Sequence, residues 1–237
     1  RLRWLVRHPL DPEPPIISFN GIPVIQKGTL NIIQGAHGSH KSRLAQTFCS
    51  LLLKRTTEIG GFLGFERLCA ADDLMVVYLD TERNTIEEFP LAMKSILNNA
   101  GHSVRRPPEN FVFASLRNVS RQKRASALEG LLRVVKNNTR KKLFVVLDVI
   151  TDCVSDFNRV DQTLELFDFL NRLCEEVDAT FLLTIHVNPG SEKARGNVGT
   201  EAINKATTVM QTRRLDEDNF TLEYKKNRSS RLLSPLY

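Results

Sequence analysis

Gly35-Ala36-His37-Gly38-Ser39-His40-Lys41-Ser42 follows the phosphate-cradling pattern G-x-x-x-x-G-K-[ST] with one departure, His40 where the pattern has its second glycine. Each part has a task. Glycines let successive backbone N–H groups turn inward around a β-phosphate, the lysine reaches the β- and γ-oxygens, and the hydroxyl ligates Mg²⁺. Upstream, residues 29–33 (Thr-Leu-Asn-Ile-Ile) make a short apolar strand, and downstream Leu44, Ala45, Phe48, Leu51 and Leu52 recur at helical spacing. Strand, glycine-rich turn and helix in that order put the positive end of a helix at the anion. The octet with Arg43 therefore predicts a seat for a nucleoside triphosphate and magnesium.

His40 leaves two readings open. A residue with a Cβ at positive φ costs roughly 1–2 kcal/mol, and a side chain there crowds the phosphates, so His40→Gly is expected to tighten nucleotide binding. In the other reading the loop settles at negative φ and the imidazole points to solvent.

The 237 residues suit one α/β domain with a full core. No run of about 18 uncharged apolar residues and no leader pattern is present, which predicts a soluble, cytoplasmic chain with no membrane partner. It opens on Arg1 rather than methionine, so either more of the same protein, such as a further domain, or a removed tag is expected upstream. Cys49, Cys69, Cys153 and Cys174 are far apart and lack a ligand-spaced histidine, as expected of reduced, mostly buried thiols.

Apolar strands at residues 30–34, 74–79, 111–114, 143–147 and 180–185 alternate with helices expected after Lys41, Thr85, Arg121 and Asp161. Such alternation predicts a mostly parallel central sheet with helices on both faces. Thr85 with Glu88 reads as a capping box. Residues 207–213 and 220–226 alternate around a polar turn and predict a closing β-hairpin. Residues 1–15, basic and then proline-rich, read as an arm or linker in which Trp4 docks on a neighbour or on its own domain; residues 16–237 read as the folded domain.

Charge is unevenly placed. The chain carries +6, yet residues 117–142 hold nine cations against Glu129 alone, a local +8. Ala125, Leu128, Leu131, Leu132 and Val135 there define the buried face of a helix, with the cations expected outward as a solvated face or as a surface for nucleic acid or an acidic neighbouring subunit.

Two strands end in acids, Asp80 and Asp148, and in a parallel sheet both emerge at the edge where the phosphate loop sits. Asp148 is the candidate magnesium-side acid, its oxygen reaching the metal through water, with Ser42 as the other ligand. Glu82, two residues past Asp80, is the candidate base for an attacking water. A helix N-cap is the alternative role for either acid. A further strand stops at His186, which is placed to sense a γ-phosphate or is a surface residue without a role. Residues 187–199 read as a long loop whose Lys193 and Arg195 suit a nucleic-acid backbone, or as plain disorder. Lys226 and Arg228 lie just past the hairpin, either as cations for another subunit's γ-phosphate or as a solvated strand end.

In this order the motifs resemble the RecA-like P-loop ATPases, within them the DnaB- and RepA-type hexameric helicases, over residues 16–231. That resemblance implies a RecA-like α/β fold binding ATP and Mg²⁺ through Gly35, Ala36, His37, Gly38, Ser39, His40, Lys41, Ser42 and Arg43. It further implies Glu82 as catalytic base, Asp148 as the Walker B acid, His186 as switch, and Lys226 and Arg228 as fingers given in trans within a ring, expected to be a hexamer. Loops 151–159 and 187–199 would line a single-stranded DNA path. The activity implied is an ATP-driven DNA helicase serving replication or a plasmid or mobile element. The alternatives are a RecA/RadA-type recombination ATPase, a weakly hydrolysing nucleotide-gated DNA-binding or assembly module, and a small-molecule kinase.

Overall fold

The chain runs β1 (Ile17–Phe19), β2 (Ile22–Ile25), β3 (Leu30–Gly35), α1 (Lys41–Leu53), β4 (Phe65–Arg67), β5 (Leu74–Asp80), α2 (Glu88–Asn99), β6 (Phe111–Ser115), α3 (Arg121–Asn137), β7 (Lys142–Asp148), α4 (Val160–Glu176), β8 (Ala179–His186), α5 (Gly196–Lys205), β9 (Thr208–Arg214) and β10 (Phe220–Asn227). The computed structural model describes residues 13–54, 62–217 and 219–228. Trp4 and most of the expected arm lie outside the described residues. Ile16, where the folded domain was expected to begin, is fully buried.

Seven strands form one sheet in the order β10-β9-β3-β8-β7-β5-β6, parallel throughout except for β10, which pairs antiparallel with β9 as the closing hairpin. Alternate residues serve opposite faces, as a period of two requires. Val77, Leu79, Val145 and Leu147 pack with Leu128 and Leu132 of α3, Leu170 of α4 and Ala202 of α5. Val76, Tyr78, Phe144 and Val146 pack with Phe48 of α1, Ile96 of α2 and a small sheet ordered β2-β1-β4. The expected α/β architecture, parallel and covered by helices on both faces, is therefore observed.

Three expectations change. The residue whose side chain closes the turn leading into α2 is Asn84, not Thr85: its Oδ1 accepts the Glu87 and Glu88 N–H groups at 2.8 and 3.2 Å, and Glu88 Oε2 accepts Asn84 N–H in return at 3.0 Å, while Glu87 at the helix start makes no side-chain cap. On α3, Arg124 points inward and is 6% exposed, because it donates to the carbonyls of Val119, Arg117 and Asp152, which helical bonding leaves unpaired. Other cations of that stretch are paired as well, Arg133 with Glu129 and Glu176, and Lys142 with Glu13. The local +8 is thus partly cancelled across space. Finally, residues 196–199 are helical rather than loop, since α5 begins at Gly196.

Candidate active site at the carboxyl edge of the sheet

Parallel order brings the carboxyl ends of β3, β5, β7 and β8 to one edge. β8 lies between β3 and β7, so His186 emerges between the phosphate loop and Asp148.

Loop geometry follows from its residue types. Gly35 has no space for a side chain, because a Cβ would collide with Ser39 Oγ and Thr212. Ser39 Oγ donates to Ala36 O at 2.8 Å and closes the turn. His40 stands at φ 63° and ψ 23°, the left-handed region, which decides between its two readings. Its ring meets Phe220 edge-on with centroids 3.8 Å apart instead of pointing to solvent. Burial, then the nearby Arg43 and Arg214, push the imidazole's pKa down. The left-handed cost is carried by the folded chain itself, so it counts against folding before it counts against a ligand.

No side chain caps the first turn of α1 and no acid lies in it, which leaves its N–H groups free for an anion. Lys41 is 5% exposed and donates to Ala36 O at 2.7 Å. Burial pulls its pKa down to about 8, opposed by Asp148 and Glu82.

Asp148 is 2% exposed and each oxygen accepts two hydrogen bonds. Oδ1 accepts Ser42 Oγ at 3.0 Å and Thr184 Oγ1 at 2.5 Å; Oδ2 accepts Tyr78 OH at 2.7 Å and Arg83 Nη1 at 2.9 Å. Burial alone would raise its pKa, but Arg83 and the three hydroxyl donors hold it below the usual carboxylate range. Asp80 is fully buried, shares Arg83 Nη1 through Oδ2, and through Oδ1 accepts the N–H groups of Glu82 and Arg83 at 2.9 and 2.7 Å. That acceptor pair fixes the turn on which Glu82 stands. Burial raises the pKa of Asp80, with Arg83 opposing.

Glu82 Oε1 lies 3.3 Å from His186 Nε2 at the mouth of a recess of about 230 Å³ that Lys41, Ser42, Arg83 and His37 also line. Hydrogen bonding to His186 lowers the Glu82 pKa, against burial. His37 stacks on His186 with ring centroids 6.1 Å apart. The structure thus brings Gly35 to Arg43, Glu82, Asp148 and His186 together.

Of the remaining candidates, Arg195 borders the site, lining an adjoining recess with His37, Glu82 and His186, and the others do not line it. Lys193 is exposed in a turn closed by Asn188 N–H to Lys193 O at 2.9 Å. Arg195 N–H donates to His186 O at 2.9 Å, and its guanidinium sits 4.6 Å over the Phe157 ring, tying residues 187–199 to 151–159. Lys226 and Arg228 are at the opposite sheet edge, because β10 runs antiparallel. There they donate to the last carbonyls of α5, Lys226 Nζ to Asn204 O at 3.0 Å and Arg228 Nη2 to the same oxygen at 2.6 Å.

Sequence reasoning missed Arg83, Tyr78 and Thr184. Arg83 had a signal, a cation three residues after a strand-end aspartate; the other two are strand-interior residues with nothing local to mark them.

Two donors fit magnesium: the Ser42 hydroxyl and the Asp148 carboxylate are hard oxygens 3.0 Å apart. Among the described residues no group of three or more His, Cys, Asp or Glu could hold a metal alone, so a metal here depends on ligands from phosphate and water. No helix among the described residues is long and apolar enough to cross a membrane.

Comparison with known families identifies a match to the AAA domain over residues 1–192. No curated protein matches the chain. The matched part holds the phosphate loop, Glu82, Asp148 and His186; α5 and the hairpin with Lys226 and Arg228 lie beyond it.

Proposed function

The chain belongs to the AAA domain family, a P-loop ATPase-like class, and from that premise we propose that it is an ATP-driven motor on single-stranded DNA, of the ring-forming helicase type. The observation that carries the reading is the Glu82–His186 pair, 3.3 Å apart, at the mouth of the recess formed by Lys41 and Ser42. An ATPase needs a carboxylate beside the γ-phosphate to take the proton of the attacking water, and Glu82 is ionised and partly solvent-facing for that task.

The chain's residues divide the work. Lys41 leaves Ala36 O to neutralise charge between the β- and γ-oxygens, and the uncapped N–H groups of α1 take the phosphates. Ser42 and Asp148 would hold magnesium, which supplies charge neutralisation at the transferred phosphoryl group. Glu82 accepts the proton, oriented by His186. Loss of the γ-phosphate changes what faces His186, and Arg195, bonded to its carbonyl, passes that change to Phe157 and the loop expected to contact DNA.

Turnover with and without single-stranded DNA tests this in wild type and Glu82→Gln. DNA should stimulate wild-type hydrolysis, and the variant should lose about 10²–10⁴-fold while still binding nucleotide. Undiminished turnover in the variant refutes Glu82 as base. A nucleotide-gated assembly module without appreciable turnover is the second reading, favoured by the engagement of Lys226 and Arg228 with α5; DNA binding that depends on ATP but proceeds without hydrolysis distinguishes it.

A further inference from the structure

We infer that the apolar cavity walled by His40 and Phe220 is the seat of the nucleobase, and that His40 is a selectivity residue of this nucleotide site rather than a defect in the loop. The inference rests on the reading of residues 35–42 as a triphosphate loop. It names the other end of the same ligand.

Two recesses meet at the loop. One, of about 230 Å³, has Lys41, Ser42 and Glu82 in its wall and is suited to phosphates. The second, of about 300 Å³, is walled by Leu44, Leu63, Phe65, Phe220 and Leu222, with far more apolar than polar surface. Its volume is at the lower end of the roughly 300–1,000 Å³ typical of small-molecule pockets. His40 and Arg43 line both recesses, so the two lie side by side across the loop. A nucleotide has that same order of character: a polyanion at one end, a flat ring at the other.

His40 makes the second recess. Its left-handed backbone turns the ring toward Phe220 at the start of β10, which the antiparallel hairpin returns to the phosphate edge. A glycine would leave Phe220 without that aromatic neighbour. Arg43, at the junction, offers a planar cation to either the base or the first phosphate.

Binding of Mg²⁺·ATP and of Mg²⁺·tripolyphosphate, measured by calorimetry, separates the base from the phosphates. Wild type should bind ATP about tenfold or more tightly than tripolyphosphate, the scale of one base–aromatic stack. Phe220→Leu, which keeps apolar volume but removes the ring, should shrink that ratio several-fold and leave tripolyphosphate binding unchanged; His40→Gly, whose residue lines both recesses, should shrink the ratio several-fold whatever it does to tripolyphosphate alone. Circular dichroism checks folding, and if one variant fails to fold the other decides. A wild-type ratio near one, or variants that weaken both ligands equally, overturns the base seat and leaves the phosphate reading standing. Wild type binding neither ligand overturns the phosphate reading, and with it the inference.

Discussion

Arg83 is the only cation in hydrogen-bond contact with two buried carboxylates, Asp80 and Asp148, among the described residues. Arg83→Ala leaves both acids without it. Breaking a buried ion pair from one side costs about 3–5 kcal/mol, and the 21% exposure of the Arg83 side chain, against 0% and 2% for the acids, lets water relieve part of that. The expected loss at pH 7.5 is about 2–4 kcal/mol, out of the roughly 5–15 kcal/mol of a normal domain. The sign with pH is fixed by the direction of the shifts. In wild type the Asp148 pKa lies below its unfolded value, so its contribution is present above that value and is lost as pH falls through the lower folded one. Without Arg83 the attraction that holds it down is gone and burial dominates, so the folded pKa rises. The variant's deficit is then greatest near neutrality and shrinks toward pH 5, where one acid takes a proton. Arg83 makes all three of its side-chain hydrogen bonds through Nη1, so a single ammonium can replace it, and Arg83→Lys is expected to lose less than about 1 kcal/mol. Urea unfolding at pH 5 and 7.5 measures all of this. A loss for the alanine variant that is below about 1 kcal/mol, or equal at both pH values, or matched by the lysine variant, refutes the counter-ion role.

Lys41→Ala is expected to abolish nucleotide binding by calorimetry with little change in fold, because Lys41 is the lysine of the phosphate loop; retained affinity contradicts the loop reading. For His40→Gly, relief of about 1–2 kcal/mol of left-handed cost is opposed by about 0.4–1 kcal/mol of unfolded-chain freedom and about 0.5–1.5 kcal/mol of lost ring contact. Its unfolding free energy should therefore stay nearly constant, and a loss above about 3 kcal/mol shows a structural role that these terms omit. Asn84→Ala removes the acceptor for two N–H groups of α2 and should cost about 1 kcal/mol in urea, whereas Thr85→Ala should be neutral. Gly199→Ala drives a Cβ into the Ala194 backbone and should cost about 1–3 kcal/mol; an unchanged transition shows that the α5 start is free to shift.

Strands were legible because they are apolar on both faces and bounded by breakers: β5 and β7 read as near-continuous hydrophobic runs, as buried parallel strands do. The strand-end acids were legible for the same reason, since a charged residue closing such a run emerges at the ligand edge. The helix α5 was not, because Gly196 and Gly199 look like breakers. In the fold Gly196 takes φ 67° and Gly199 lets the helix touch Ala194, while Val198 and Ala202 supply a buried face too short to outweigh them. The β1–β2 hairpin was missed although Asn20-Gly21 announced it; both residues have positive φ, as a tight hairpin turn requires. Arg124 was misplaced because charge was taken to mean exposure; two of the carbonyls that receive it are only five and seven residues upstream, while the third, of Asp152, is distant in the chain.

The position of α5 ties the two edges of the sheet together. Its first residue follows Arg195, which is bonded to His186 and stacked on Phe157, and its last carbonyls are held by Lys226 and Arg228. Ten residues of helix make a stiff strut of about 15 Å. A strut pinned at both ends cannot be pushed at one without loading the other. Movement at the histidine is therefore expected to load Lys226 and Arg228 at the far edge.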